Sequence, residues 1–136
     1  MGGRRSYGST VQERTKRLLE ALLAYVNQEL EGAERLQIEA NWQTGNKLVV
    51  RTKVRFLEEL TAKYQQDGKL DREQIKEALK RLHDWLEILD DNRTKTQGSE
   101  DWHFTLKLWS KDKDENLRRF ECEWESRRAH KSNLTN

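Results

Sequence analysis

The sequence contains no proline, one cysteine (Cys122) and three histidines among its 136 residues. A single cysteine excludes an intramolecular disulfide and a paired-cysteine metal or redox site. No apolar run approaches the roughly 18 residues that a membrane span requires, and the N-terminus lacks a signal-peptide core, so we expect a soluble, cytoplasmic protein. Gly-rich phosphate loops, nucleophile elbows and paired-histidine zinc motifs are also missing. We therefore expect a protein that is not an enzyme and that carries no cofactor and no metal ion.

An excess of charge of one sign is lacking too, because 26 Lys and Arg residues oppose 24 Asp and Glu residues. The resulting net charge of +2 gives no argument for a nucleic-acid partner. The apolar residues fall in periodic clusters, which is typical of a folded domain with a charged surface. The length suits a single domain. We predict a flexible arm at residues 1–10, one domain at residues 11–126 and a flexible tail at residues 127–136.

The clearest local pattern begins at Leu70 and predicts a helix followed by a strand. Asp71 is a favourable N-cap, and Gln74 stands three residues later, as in a capping box. Apolar residues then recur at helical spacing from Ile75 to Leu89. After a polar run at residues 90–101, the chain alternates, with Trp102, Phe104, Leu106 and Leu108 on one side of a strand and His103, Thr105, Lys107 and Trp109 on the other.

The remaining elements follow from the same periodicities. A helix of about five turns is predicted from Val11 to Leu30, with Gly32 as its stop. Alternation on both sides of a turn at residues 44–46 predicts a hairpin, and a shorter helix follows within residues 53–66. Asp112 can cap a last helix that buries Leu117, Phe120 and Trp124. The predicted order is α-β-β-α-α-β-β-α.

This order predicts an α+β fold that resembles a winged helix with a small antiparallel sheet. The helix, turn, helix and two-stranded wing are then the motif, and the first hairpin is an insertion before the second helix. An αβ sandwich with all four strands in one antiparallel sheet fits the same pattern.

The face of the predicted wing that points away from the core supplies the candidate protein-binding residues. They are His103, Lys107 and Trp109. Trp109 alternates onto the side opposite Phe104, and large rigid rings are enriched at interface hot spots. The last helix covering Trp109 is the equal alternative.

A nucleic-acid interface is the rival reading, because winged helices place one helix in the major groove and the wing on phosphates. The candidate contacts are Arg72, Lys76, Lys80, Arg93 and Lys95. Carboxylates at Glu73 and Glu77, and others in the wing, oppose the counterion release that drives such binding. A catalytic use of Asp90, Asp91, Glu100 and His103 is disfavoured, since their surroundings look solvated and would not separate their pKa values.

Two segments carry a resemblance to a known family. Residues 79–109 (LKRLHDWLEILDDNRTKTQGSEDWHFTLKLW) and residues 48–61 (LVVRTKVRFLEELT) resemble a module of cyanobacterial multidomain proteins. In those proteins the module precedes a STAND ATPase of NB-ARC or NACHT type, followed by WD or tetratricopeptide repeats. The likeness spans roughly residues 11 to 128.

The resemblance implies a non-enzymatic effector-associated or adaptor domain that couples a signalling ATPase to a partner by docking. It brings no catalytic residues to carry over. A stand-alone relative and one domain of a longer protein both fit the absence of an ATPase here. The working hypothesis is a protein-interaction module in bacterial signalling or defence, and the alternative is a winged-helix nucleic-acid-binding regulator.

Overall fold

The structure is a computed structural model that describes residues 10–86 and 101–135, with backbone only at residues 67, 83–86, 101–102 and 128–135. Its helices and strands are α1 (Val11–Val26), β1 (Ile38–Gln43), β2 (Lys47–Lys53), α2 (Val54–Tyr64), α3 (Arg72–Leu86), β3 (Asp101–Lys107) and α4 (Lys113–Thr135). Short 3-10 turns lie at Ala33–Arg35 and Gln66–Gly68.

The predicted α+β class is confirmed, with four helices and a small antiparallel sheet in the described part of the chain. The sheet has the order β1-β2-β3, so the strand after α3 pairs with the first hairpin, with Phe104 opposite Val50. The first strand of the predicted wing, with Arg93 and Lys95, falls at residues that lie outside the description. The winged-helix motif itself therefore stays a prediction.

Helix α1 starts where a complete capping box forms. The Thr10 side chain accepts the backbone N–H of Glu13 at 3.1 Å, and the Glu13 carboxylate accepts the Thr10 N–H. The prediction that this helix continues to Leu30 and stops at Gly32 is wrong. It ends at Val26, because the N–H groups of Gln28 and Glu29 turn back onto the carbonyls of Tyr25 and Ala24.

That ending is a Schellman motif with Gln28 at the left-handed position, where φ is 58°. Glycine usually occupies this position because it has no Cβ to clash. Gly32 instead has φ of 75° at the start of the 3-10 turn Ala33–Arg35. The sequence pattern misled us because the residue that ends the helix is not glycine.

Helix α3 begins as predicted. The Asp71 Oδ1 accepts the N–H of Gln74 at 2.9 Å, and the Gln74 Oε1 accepts the N–H of Asp71 at 3.1 Å. Leu70, just before the cap, is buried, and its N–H donates to the Thr61 hydroxyl oxygen at 3.0 Å. This contact joins the end of α2 to the start of α3 and satisfies a buried N–H.

All described helices and one face of the sheet contribute to a single core. Its largest fully buried side chains include residues of every helix and of the sheet's inner face: Leu18, Leu22, Leu57, Leu60, Ile75, Leu79, Leu48, Phe104 and Phe120. On β2 the buried positions alternate as Leu48, Val50 and Thr52, as expected for a sheet with one packed face. The opposite face of the sheet does not contribute to the core.

Helix α4 is capped by Asp112, whose Oδ2 accepts the N–H of Glu115 at 2.9 Å. Phe120 is fully buried, while Leu117 and Trp124 pack against the core and are partly buried, as predicted. The helix continues to Thr135, and the predicted domain boundary at residue 126 stays a prediction. None of the described helices has the length and apolar character needed to cross a bilayer.

Candidate docking surface

The outer sheet face is the set of strand side chains that point away from the core. Cross-strand pairing arranges these positions in three rows, which are Glu39, Arg51 and His103, then Asn41, Val49 and Thr105, then Gln43, Lys47 and Lys107, and in one further pair, Lys53 opposite Asp101. Most of these side chains are exposed, and His103 and Lys47 are half-buried. Thr105 is an exception, because it is buried although its position in the alternation is outward.

The charge on this face is mostly positive. Lys47 lies directly opposite Lys107, and Arg51 lies opposite Glu39, the only carboxylate in the three rows; Asp101 is the carboxylate of the further pair. Like charges placed directly opposite each other destabilise an antiparallel pair, so the Lys47–Lys107 contact is unfavourable as a pair. Between the cations, Val49 is 36% exposed and is a large apolar side chain open to solvent.

Two of the predicted protein-binding residues, His103 and Lys107, lie on the outer sheet face. The third, Trp109, lies two residues beyond the end of β3, where it is half-buried and packs against the core. Trp109 is therefore neither the fully exposed anchor nor the fully covered ring that the sequence allowed. The three candidates therefore do not form one patch: Trp109 lies at the corner after β3, and His103 and Lys107 lie on the outer sheet face.

The corner between β3 and α4, residues 108–112, is held by Asn116, which sequence reasoning missed. Asn116 is fully buried, and its Oδ1 accepts the N–H groups of Trp109 at 3.1 Å and Ser110 at 3.2 Å. Its Nδ2 donates to the carbonyls of Ser110 at 2.7 Å and Asp112 at 2.8 Å. All four hydrogen-bonding positions of the amide are therefore used.

The hairpin turn supports the same corner from the other side. The Asn46 Nδ2 donates to the Trp109 carbonyl at 3.2 Å, and the Leu108 N–H donates to the Asn46 carbonyl at 3.0 Å. A signal for Asn116 was present in the sequence, because it shares the inward stripe of α4 with Leu117 and Phe120. A polar residue on such a stripe predicts a buried hydrogen-bonding role.

A second polar cluster joins three helices behind this corner. The Tyr64 hydroxyl donates to Glu20 Oε2 at 2.8 Å, and the Lys113 ammonium binds Glu29 Oε1 at 2.5 Å while its Nζ lies 5.9 Å from the centre of the Tyr64 ring. Burial, followed by the hydrogen bond to Glu20, raises the pKa of Tyr64 to about 12. The cluster connects α1, α2 and the start of α4, and it is structural in character.

The candidate nucleic-acid residues on α3 are exposed, namely Arg72, Lys76 and Lys80. Carboxylates lie among them, since Glu73 Oε1 is 3.8 Å from Lys76 Nζ and Glu77 binds Arg14 of α1 at 2.8 Å. The remaining two candidates, Arg93 and Lys95, lie outside the described residues. What is described of this face is of mixed charge, which weakens counterion release on a phosphate backbone.

No metal-binding cluster is assembled in the described ranges. No group of three or more His, Cys, Asp or Glu side chains there is arranged to hold a metal ion. Asp90, Asp91 and Glu100, which we considered beside His103, lie in the segment that is not described.

Comparison with known proteins gave one family. Residues 8–126, most of the chain, match the model of "Effector-associated domain 4". Neither curated proteins nor solved structures gave a significant match.

Proposed function

We propose an adaptor function for this chain from the premise that it belongs to the effector-associated domain 4 family. Membership indicates an adaptor-type regulatory module, and effector-associated domains generally mediate interactions with other proteins. The proposal adds the finer statements: the module is not an enzyme, and it docks onto a partner protein through its outer sheet face.

One observation carries this proposal. The exposed side of the sheet presents cations on adjacent strands around an exposed valine, and Lys47 and Lys107 lie directly opposite each other. An arrangement that costs stability is expected where function requires it, and a rim of cations around an apolar centre suits an acidic protein surface. We propose that Lys107 and His103 contact that partner.

Trp109 has a supporting role in this proposal. Its ring packs against the core, and its backbone is bound by Asn116 and Asn46, so it fixes the corner that follows β3. Truncating Trp109 would remove core packing as well as any contact with a partner. Charge changes on the open face are therefore the cleaner test.

The partner class follows from the resemblance noted in the sequence. A STAND ATPase, or an effector coupled to one, is the proposed binding partner in cytoplasmic bacterial signalling or defence. The support for this partner is the match to an effector-associated domain family.

Site-specific photocrosslinking in the native host tests the docking face. A photoreactive amino acid replaces Val49 in the centre of the outer sheet face, and the matched control places it at Glu73 on α3. We expect position 49 to crosslink a discrete protein that position 73 does not capture. Equal capture from both positions, or capture from position 73 alone, would contradict the proposal.

Nucleic-acid binding is distinguished in a parallel measurement. We expect the purified chain to show no shift of duplex DNA at micromolar concentration. A complex whose affinity falls steeply with salt, and which is lost when Lys76 and Lys80 are replaced by glutamate, would favour the nucleic-acid alternative.

A further inference from the structure

We propose that the free edge of β1 binds an extended, basic segment of a partner protein as an added antiparallel strand. The inference rests on the proposed docking role but uses the strand edge, which shares Glu39 and Asn41 with the outer sheet face and none of its cations, so the two can fail separately. β1 has β2 on one side only, and no described strand pairs with its other edge. An edge of this kind is a template for another chain unless it is blocked.

The backbone shows which residues of β1 face that edge. The Ile38 N–H donates to the Leu36 carbonyl at 2.9 Å, and the Ile38 carbonyl accepts the Tyr25 hydroxyl at 2.7 Å, so neither group bonds to β2. In an antiparallel pair the backbone groups of alternate residues point to the same side. Ala40 and Trp42 therefore direct their N–H and C=O groups to the open edge, and Asn41 directs its own to β2.

A hollow beside this edge can receive side chains of an added strand. Its volume is about 500 Å³, and its apolar lining is Tyr25, Val26, Leu30, Ala33, Ile38 and Ala40. It lies between the end of α1 and the outer side of β1. Alternate side chains of a strand paired to Ala40 and Trp42 would point toward it, and small or medium apolar residues would fill it.

Charge identifies the kind of segment. Among the described residues that line the hollow, Glu34 and Glu39 are the charged ones, and both are exposed. Burial raises the pKa of Tyr25, and the nearby negative charge of Glu34 raises it further. A segment with Lys or Arg beside its apolar residues complements these carboxylates, and an acidic segment is repelled.

The limits of the added strand also follow from the structure. Ile38 already has partners for both backbone groups, so pairing starts at Ala40 and runs toward the hairpin turn. A neighbouring hollow around Ile38 is lined by the cations Arg51 and Lys53 and by His103, and it shares Glu34 and Glu39 with the first hollow. β1 (IEANWQ) contains neither lysine nor proline, two residues that commonly block an edge, and the nearest cation at its far end is Lys111, whose Nζ lies 5.8 Å from the centre of the Trp42 ring.

The experiment selects a displayed library of random nonapeptides on the purified chain. We expect the recovered peptides to alternate apolar residues with an excess of Lys and Arg over Asp and Glu. We expect Ala40→Pro to weaken their binding by at least about tenfold, because it removes the edge N–H without removing a bond to β2. The double variant Lys47→Glu, Lys107→Glu should bind the same peptides with unchanged affinity, which separates this edge from the outer sheet face.

A second pair of variants keeps the proposal falsifiable if Ala40→Pro unfolds. Replacing Glu34 and Glu39 by lysine should reverse the charge preference of the recovered peptides. No enrichment, enrichment of acidic peptides, or binding that these variants leave intact would overturn the proposal. A dimer of the chain that Ala40→Pro dissociates would also overturn it, because a second copy would then occupy the edge.

Discussion

Asn116→Ala is expected to lower the free energy of unfolding by about 2–4 kcal/mol, at roughly 1 kcal/mol for each part-buried polar group that loses its partner. The Trp109 and Ser110 N–H groups lose their acceptor, and the Ser110 carbonyl loses its donor. The Asp112 carbonyl keeps one bond, because it also accepts the backbone N–H of Asn116. Three groups are thus left without protein partners.

Urea unfolding followed by tryptophan fluorescence measures this loss. Asn41→Ala is the matched control, since Asn41 is exposed on the outer sheet face and its truncation should change stability by no more than about 0.5 kcal/mol. A stability of Asn116→Ala equal to that of Asn41→Ala would refute the assignment of Asn116 as the support of the corner.

Asn116→Asp sharpens the same test. The carboxylate can still accept the two N–H groups, but it opposes the carbonyls of Ser110 and Asp112 and buries a charge. Protonation would restore a donor and remove that charge. We therefore expect the stability difference from wild type to be smaller at pH 4 than at pH 7. A difference independent of pH would contradict the bonding pattern.

Two further predictions concern Gln28 at the end of α1 and Tyr64 in the polar cluster with Glu20 and Lys113. Gln28→Gly should raise the free energy of unfolding by about 0.5–1 kcal/mol, because glycine relieves the left-handed strain at the end of α1; a decrease in urea unfolding would contradict this. The pKa of Tyr64 is raised from 10 to about 12 in the folded chain, so its contribution to stability is complete below pH 10 and is lost as the pH rises toward 12. Wild type should therefore lose more stability than Tyr64→Phe over pH 10–12 in the same assay, and identical losses would be the adverse result.

Local signals predicted the parts of the fold that depend on neighbours in sequence. The capping box at Asp71 and the hairpin turn at residues 44–46 were read correctly because each is decided within a few residues. The burial of Phe104, Leu106 and Leu108 also followed from strand alternation.

The errors arose where distant residues decide the outcome. Tertiary packing allows Gln28 to take a conformation that its side chain disfavours, so the helix end was misplaced. Alternation placed Trp109 and Thr105 on the outward side, but it does not reveal what covers them. The position of Asn116 on the inward stripe of α4 signalled its burial, but its partners are backbone groups of a corner, which a pattern of side chains does not identify.

The central claim, docking through the outer sheet face, is tested most directly by the dissociation constant of the partner captured through position 49. Two charge-reversal variants are compared: Lys47→Glu with Lys107→Glu on the outer sheet face, and Lys76→Glu with Lys80→Glu on α3. Both pairs change the net charge equally, and the first keeps like charges opposite each other. We predict at least tenfold weaker binding, about 1.4 kcal/mol, for the first pair and unchanged binding for the second. Equal weakening by both pairs, or weakening by the α3 pair alone, would contradict the account.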